Sequence, residues 1–246
     1  VAISFTNDLD MKKLIIITPI KDSLETLRHT VKTLRSGANT TPYYIFDDFS
    51  NEETIGWLIE NQEKYQLKIV HLSDHTSHPS PNYRLTLNMA RKMALEEGAH
   101  LAIIESDVIA QPETLDALVE LTEQLPDAGL VGSVTTDSYG NINFPYSYVK
   151  KSMPEVYQTP RSMSFCCTVL SNDLMKAFDF AELDSSRDWY DVYITKRARQ
   201  LGFNNYISLK NPVIHKPHGS RPWKMLKYKN PILYYLKKFT QKRDRI

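Results

Sequence analysis

Leu14-Ile15-Ile16-Ile17 is an unbroken apolar run that stops at Thr18-Pro19, the pattern of a strand covered on both faces. Residues 23–34 then place Leu24, Leu27, Val31 and Leu34 at helical spacing, and Gly37 closes the series. The alternation goes on. Residues 43–46 read as strand, 52–64 as helix, 67–72 as strand, 84–97 as a helix closed by Gly98, and 101–104 as strand. Gln111-Pro112 opens a helix reaching about Gln124, with Pro at its start, and 129–134 is again strand-like. Strands alternating with helices predict an α/β fold: a mostly parallel central sheet flanked by helices. Ligands in such sheets bind outside the carboxyl ends of the strands.

After Thr135 the rhythm breaks into an irregular, aromatic-rich stretch, 137–161, followed by a strand-like 164–169, a short helix over 172–178 and a helix over 189–201. Irregular segments of that length in compact domains are usually functional, so the acceptor side of a cleft is expected there.

Composition adds bounds. The 246 residues, 41% hydrophobic and 24% charged, are ordinary for a globular chain, and 13 Pro against 8 Gly, with no repeat or low-complexity tract, offer no linker at which to divide it. The longest apolar runs, 14–17 and 232–236, fall far short of the roughly 20 residues that span a bilayer, and the N-terminus lacks a signal-peptide pattern. A soluble, cytoplasmic protein is the expectation. The two cysteines, Cys166 and Cys167, are adjacent in a strand-like run, which predicts two small buried side chains and no disulfide framework.

Net charge is +1, but it is unevenly spread. From Arg221 onward nine basic residues face one acidic residue, a net of +8, which leaves −7 for residues 1–220. The extension interleaves Trp223, Tyr228, Tyr234, Tyr235 and Phe239 with those cations. Such a segment reads either as packing on the body or as a peripheral contact with an anionic membrane surface; the acidic body argues against nucleic acid.

Several residues carry candidate chemistry. Asp47 and Asp48 end the second strand, where a carboxylate can accept an imide N–H or a ribose hydroxyl, although Ser50 or Asn51 with Glu52 and Glu53 also reads as helix capping. Glu105-Ser106-Asp107 follows the strand at 101–104, and oxygen ligands at such a turn suit Mn²⁺ or Mg²⁺ shared with substrate phosphates. Asp188, Asp191 and Thr195 share one face of the last clear helix. His215 and His218, three apart around Pro217, could complete a metal site. No Gly-x-Gly-x-x-Gly, Walker-type lysine loop, Cys-x-x-Cys or Gly-x-Ser-x-Gly occurs, which removes support for dinucleotide oxidoreductase, P-loop and serine-hydrolase readings.

Taken together, four ordered segments resemble family 2 glycosyltransferases of the GT-A fold: Ile15 to Ile20, Phe46 to Thr54, Asn88 to Gly98 with Ile103 to Val108, and Asp191 through Arg197 to Gly202. The resemblance implies a glycosyltransferase domain over 11–220 with 221–246 as a basic extension. It implies that Thr18, Pro19 and Ile20 line a base pocket, that Asp48 rather than Asp47 binds the base, and that Arg84, Asn88 and Ser106 serve the nucleotide. Asp107, with Glu105 and His215 or His218, would hold Mn or Mg, and Asp191 would be the base of an inverting transfer. Two positions depart from the family pattern. Glu105 stands where an Asp usually begins the metal motif, and Tyr190 where an acid usually precedes the catalytic Asp, so Trp189 and Tyr190 are expected as an aromatic acceptor platform. The implied partners are a nucleotide sugar, with a lean to UDP, and a glycan or lipid-linked acceptor, as in polysaccharide or cell-envelope biosynthesis. A sugar nucleotidyltransferase and a non-catalytic nucleotide-sugar-binding subunit are the alternatives.

Overall fold

The structure, a computed structural model, describes residues 13–37, 40–185, 189–216 and 230–240. Its first strand, β1 (Leu14–Ile20), alternates its side chains between two cores: Ile15 and Ile17 face one, Ile16 and Ile20 the other. A strand buried on both sides needs helices on both sides, and the chain supplies them. On one face lie α1 (Leu24–Gly37), α2 (Glu52–Asn61) and α4 (Thr114–Gln124), through Leu27, Val31, Leu58, Leu115 and Leu118. On the other lie α3 (Tyr83–Glu96), α5 (Asn172–Ala177) and α6 (Tyr190–Gln200), through Leu87, Ala90, Leu174, Ile194 and Ala198. Truncating one of these buried leucines to Ala would cost about 2–5 kcal/mol.

The other strands are β2 (Tyr43–Asp47), β3 (Leu67–His71), β4 (His100–Ile104), β5 (Val108–Ile109), β6 (Ala128–Thr136), β7 (Val156–Gln158), β8 (Cys167–Leu170) and β9 (Asn204–His215). They form one nine-stranded sheet in the order β3-β2-β1-β4-β8-β6-β9-β5, with β7 on β9. The half from β3 to β4 is wholly parallel, as the alternation predicts. Beyond β4 the sheet is mixed: β8 runs antiparallel to both β4 and β6, while β6 and β9 are parallel. Gly37 belongs where α1 meets the start of the β5–α4 connection. A Cβ there would stand 1.9 Å from the Pro112 carbonyl oxygen, so only glycine permits the approach.

Three strands, β5, β7 and β9, escaped the sequence pattern. Strand β9 is twelve residues long, but Asn204, Asn205, Lys210, Asn211 and Pro212 break its apolar alternation, and its register against β6 shifts between Ser133 and Thr135. The short β7 lies inside the stretch expected to be irregular. A final helix, α7 (Pro231–Thr240), buries Tyr234 and exposes Ile232, Tyr235 and Leu236.

Candidate active site

The loops after β1 and β2 meet at the carboxyl end of the parallel half. Asn51 N–H donates to Asp22 Oδ1 at 2.6 Å, and Lys21 Nζ donates to the Phe49 carbonyl at 2.8 Å. Asp22 and Phe49 both hold positive φ, 51° and 60°. For a bulky residue such as Phe49 that conformation costs on the order of 1–3 kcal/mol, and strain of this kind collects at ligand-binding turns.

The acids there are engaged with the protein. Asp47 is buried and accepts from Ser50 N–H at 3.0 Å, with its other oxygen 3.0 Å from His71 Nδ1. Asp48 accepts from the Ser80 hydroxyl at 2.6 Å and from the Asn82 backbone and side-chain amides at 2.8 Å each, which ties the approach to α3 to the end of β2. Thr18 is fully buried and shares a 2.8 Å hydrogen bond with the Tyr43 hydroxyl; Pro19 is half-buried and Ile20 buried. Arg84 donates to the Ala181 carbonyl at 2.8 Å, while Asn88 donates to the carbonyls of Arg84 and Phe180. These two residues fasten α3 to the 3-10 turn Phe180–Glu182.

The second cluster forms where β4 ends. Glu105-Ser106-Asp107 turns the chain into β5, and β5 pairs antiparallel with the end of β9 so that Val108 stands opposite His215. That pairing, closed by Lys216 N–H donating to the Asp107 carbonyl at 2.9 Å, carries a histidine more than one hundred residues away to the acidic turn. His215 Nε2 lies 3.4 Å from Asp107 Oδ2, with each residue only 7% exposed. His215 Nδ1 lies 3.0 Å from the Phe144 carbonyl, which can only accept, so Nδ1 carries a hydrogen and Nε2 turns toward the carboxylates.

Burial alone would lower the His215 pKa. The hydrogen bond and charge of Asp107, then Glu105 and the Phe144 carbonyl, outweigh it and raise the value above the ordinary one. A ring that donates one N–H to a backbone carbonyl and presents the other nitrogen beside a carboxylate has the arrangement of a metal-ligating histidine. Two ligands about 2.1 Å from a tetrahedral centre stand about 3.4 Å apart, the spacing seen here. Asp107 and His215 therefore stand at a spacing that a divalent cation could bridge. His218 lies outside the described residues.

The strand-pairing also brings a residue that its sequence environment did not mark. Glu105 N–H donates to the Cys166 carbonyl at 3.0 Å, extending the antiparallel β4–β8 ladder by one step. The Cys166 thiol thereby comes within 3.3 Å of Glu105 Oε2, and the ligand atoms of Glu105, Cys166 and His215 all lie within 4.8 Å of one another. Both cysteines are free and buried, as expected. Nothing local distinguishes Cys166 from Cys167; only the long-range pairing does.

At the start of α6, Asp191 is half-buried, its Oδ1 accepts from Val192 N–H at 2.8 Å, and its carbonyl accepts from the Thr195 hydroxyl. The buried Tyr146 bonds the Ser164 backbone, and its phenol is pushed well above the ordinary range by burial first, with Cys166 and Asp191 both adding. Trp189 caps α6 and is half-buried. Tyr190 is buried and packs on Tyr83 with ring centroids 6.4 Å apart. Its ring is part of the core. Asp188 lies outside the described residues. Arg197 lies over the Phe178 ring and within 3.9 Å of Glu182, and Gly202, with φ 91°, ends the helix turn.

No family model and no curated protein matches the chain by sequence. Its fold, however, is the GT-A-like fold of nucleotide-sugar glycosyltransferases. A mannosyltransferase from Pyrobaculum calidifontis, PcManGT, solved with GDP-Man and Mn²⁺, superposes with a TM-score of 0.64 at 12% identity over 93% of this chain and 64% of that one. The S. aureus protein TarS gives 0.60 at 16% identity over 92% and 39%, and GalNAc-T7 with UDP, GalNAc and Mn²⁺ gives 0.60 at 14% over 87% and 46%. The chain spans less than two thirds of the length of each of these proteins.

Proposed function

We propose that the chain is an inverting glycosyltransferase that moves a sugar from a nucleotide-diphosphate sugar to a hydroxyl of a glycan or lipid-linked acceptor. The observation that carries this reading is the position of the Glu105-Ser106-Asp107 turn at the carboxyl end of β4, with His215 Nε2 3.4 Å from Asp107 and a His215 ring nitrogen within 4.8 Å of a Glu105 oxygen. The shared fold supports it, since proteins of this fold are crystallised with GDP-Man, UDP-GlcNAc or UDP.

In this reading Glu105, Asp107 and His215 hold the cation, Mn²⁺ or Mg²⁺, which when bound supplies Lewis-acid stabilisation of the departing diphosphate. Asp191 takes the proton from the acceptor hydroxyl as that oxygen attacks the anomeric carbon, and a single displacement inverts it. The turns carrying Thr18, Pro19, Ile20, Asp47 and Asp48 shape the base end, with UDP favoured, and Ser106, Arg84 and Asn88 fix its walls. Trp189 presents an aromatic surface to the acceptor. Residues 11–220 are the transferase domain and 221–246 its basic extension, which makes peripheral contact with a membrane surface. Among the described residues no helix is long and apolar enough to cross a membrane.

The test is release of free nucleoside diphosphate from a panel of nucleotide sugars in the presence of glycan acceptors, with Asp191→Asn as control. Release that depends on Asp191 supports the reading. Donor binding without release would mark a binding subunit, and pyrophosphate chemistry on a sugar phosphate would mark a nucleotidyltransferase.

A further inference from the structure

We propose that Cys166 joins Glu105 and His215 as a donor of the cation cluster, so that the site takes thiophilic divalent cations, Zn²⁺ or Cd²⁺, through sulfur. The proposal rests on the reading that Glu105, Asp107 and His215 form a cation site. Cys166 Sγ lies 3.3 Å from Glu105 Oε2, and a single ion can reach the sulfur, Glu105 and His215 together because their ligand atoms lie within 4.8 Å of one another. The thiol is 2% exposed, and the Ser164 hydroxyl also lies 3.3 Å from the sulfur.

The set of Glu105, Cys166 and His215, with Asp107 3.4 Å from the same imidazole, spans two preferences. Hard cations such as Mn²⁺ and Mg²⁺ are satisfied by the oxygens and the imidazole, keeping positions open for phosphate oxygens. A cation that recruits sulfur would have Glu105, Cys166 and His215 as protein donors, a thiolate-bearing set that suits soft and borderline cations. Zn²⁺ and Cd²⁺ are therefore expected to compete with Mn²⁺ and to hold the site without nucleotide. On coordination the S–H bond breaks, a sulfur–metal bond forms and one proton leaves to the buffer, with no change of oxidation state.

The chain contains two cysteines, which makes the test clean. The intact protein, reduced and stripped with chelator, is titrated with Cd²⁺ while the ultraviolet thiolate-to-metal charge-transfer absorption and the protons released are followed. Mn²⁺ binding is measured separately by electron paramagnetic resonance. The expected result is a charge-transfer band that saturates at one Cd²⁺ per chain, disappears in Cys166→Ser and persists in Cys167→Ser. Cys166→Ser should lose at least the roughly 10- to 100-fold of Cd²⁺ affinity that a supporting partner contributes to a metal site, yet still bind Mn²⁺, which also shows that it folds. A wild-type protein that binds Mn²⁺ but gives no band, or a band that survives in Cys166→Ser, overturns the role of Cys166 and leaves the cation site standing. Failure to bind either ion overturns the cation site itself and this proposal with it.

Discussion

His215 and Asp107 are brought 3.4 Å apart by a two-residue strand pairing, β5 on the end of β9, and the histidine's other nitrogen is fixed by the Phe144 carbonyl. Each half of this pair is buried, so neither tolerates loss of the other without exposing a charge to a dry environment. Asp107→Ala is expected to abolish Mn²⁺ binding and sugar transfer. His215→Ala, which removes the imidazole 3.4 Å from the buried Asp107 carboxylate, should lower the unfolding free energy of the metal-free protein by about 1–3 kcal/mol. Electron paramagnetic resonance and denaturant melts in chelator read the two effects. Full turnover of the wild type in excess chelator would remove the cation from the mechanism.

Asp191 sits in the first turn of α6 with its carboxylate at the helix N-terminus, where the dipole favours the charged form. As a base aimed at the acceptor, it should matter to transfer and not to donor capture. Asp191→Asn is expected to bind nucleotide sugar with near wild-type affinity in calorimetry while transfer falls by about 10² to 10⁴. Equal loss of donor affinity would move Asp191 to the nucleotide site.

Asp48 accepts three hydrogen bonds from Ser80 and Asn82, so its carboxylate already fastens the α3 approach to β2. In Asp48→Asn an amide N–H₂ would face donors, and the cost should be about 1–3 kcal/mol. The expected signature is a lower denaturant midpoint with an unchanged slope. An unchanged midpoint with lost nucleotide binding would instead assign the carboxylate to the base.

What the sequence could announce depended on how local each cause is. Leu14 to Ile17 and Leu101 to Ile104 read as strands because a strand covered on both faces must be apolar throughout, and the side chains of Ile15, Ile16 and Ile17 are indeed buried. Asp107 and Asp191 could be singled out as candidates because an acid after a strand or in a helix's first turn is a local pattern. Strand β9 was not, since its central Lys210, Asn211 and Pro212 interrupt the alternation, and its pairing with β6 and β5 is what makes it a strand. The position of Cys166 was hidden for the same reason: its proximity to Glu105 exists only once β8 lies antiparallel to β4. Tyr190 looked available because a helix-start aromatic carries no sign of burial; Tyr83 on α3 supplies that burial.

The two thiols should be inert in the native, metal-free protein. Burial pushes the Cys167 thiol up to about 12, with the Ser133 hydrogen bond opposing, and drives Cys166 well above its ordinary value, with Glu105 adding to the effect. The reactive species is the thiolate, so at pH 8 its fraction is negligible for both. A disulfide-exchange reagent is expected to titrate two thiols in denaturant and to react with the folded protein only as fast as it opens. Rapid native labelling of one thiol at pH 8 would contradict this.

The extension poses the final test. Helix α7 buries Tyr234 yet leaves Ile232 83% and Leu236 59% exposed, one turn apart on the same face as Tyr235. The sequence around it carries nine basic residues against one acidic one. Apolar side chains on one helix face, set among cations, suit the boundary of an anionic leaflet, where each basic residue contributes on the order of 1 kcal/mol and the apolar face adds its own burial. The intact protein is expected to sediment with anionic vesicles at low salt and to be released as salt rises. Substituting Glu at both Ile232 and Leu236 spares the buried Tyr234, so the fold should survive while vesicle binding drops, since burial of each side chain is worth about 1.5–3 kcal/mol and the new charges are repelled. Binding that is indifferent to these two substitutions would reduce the contact to electrostatics alone, and absence of sedimentation at low salt would remove the membrane from the account of residues 221–246.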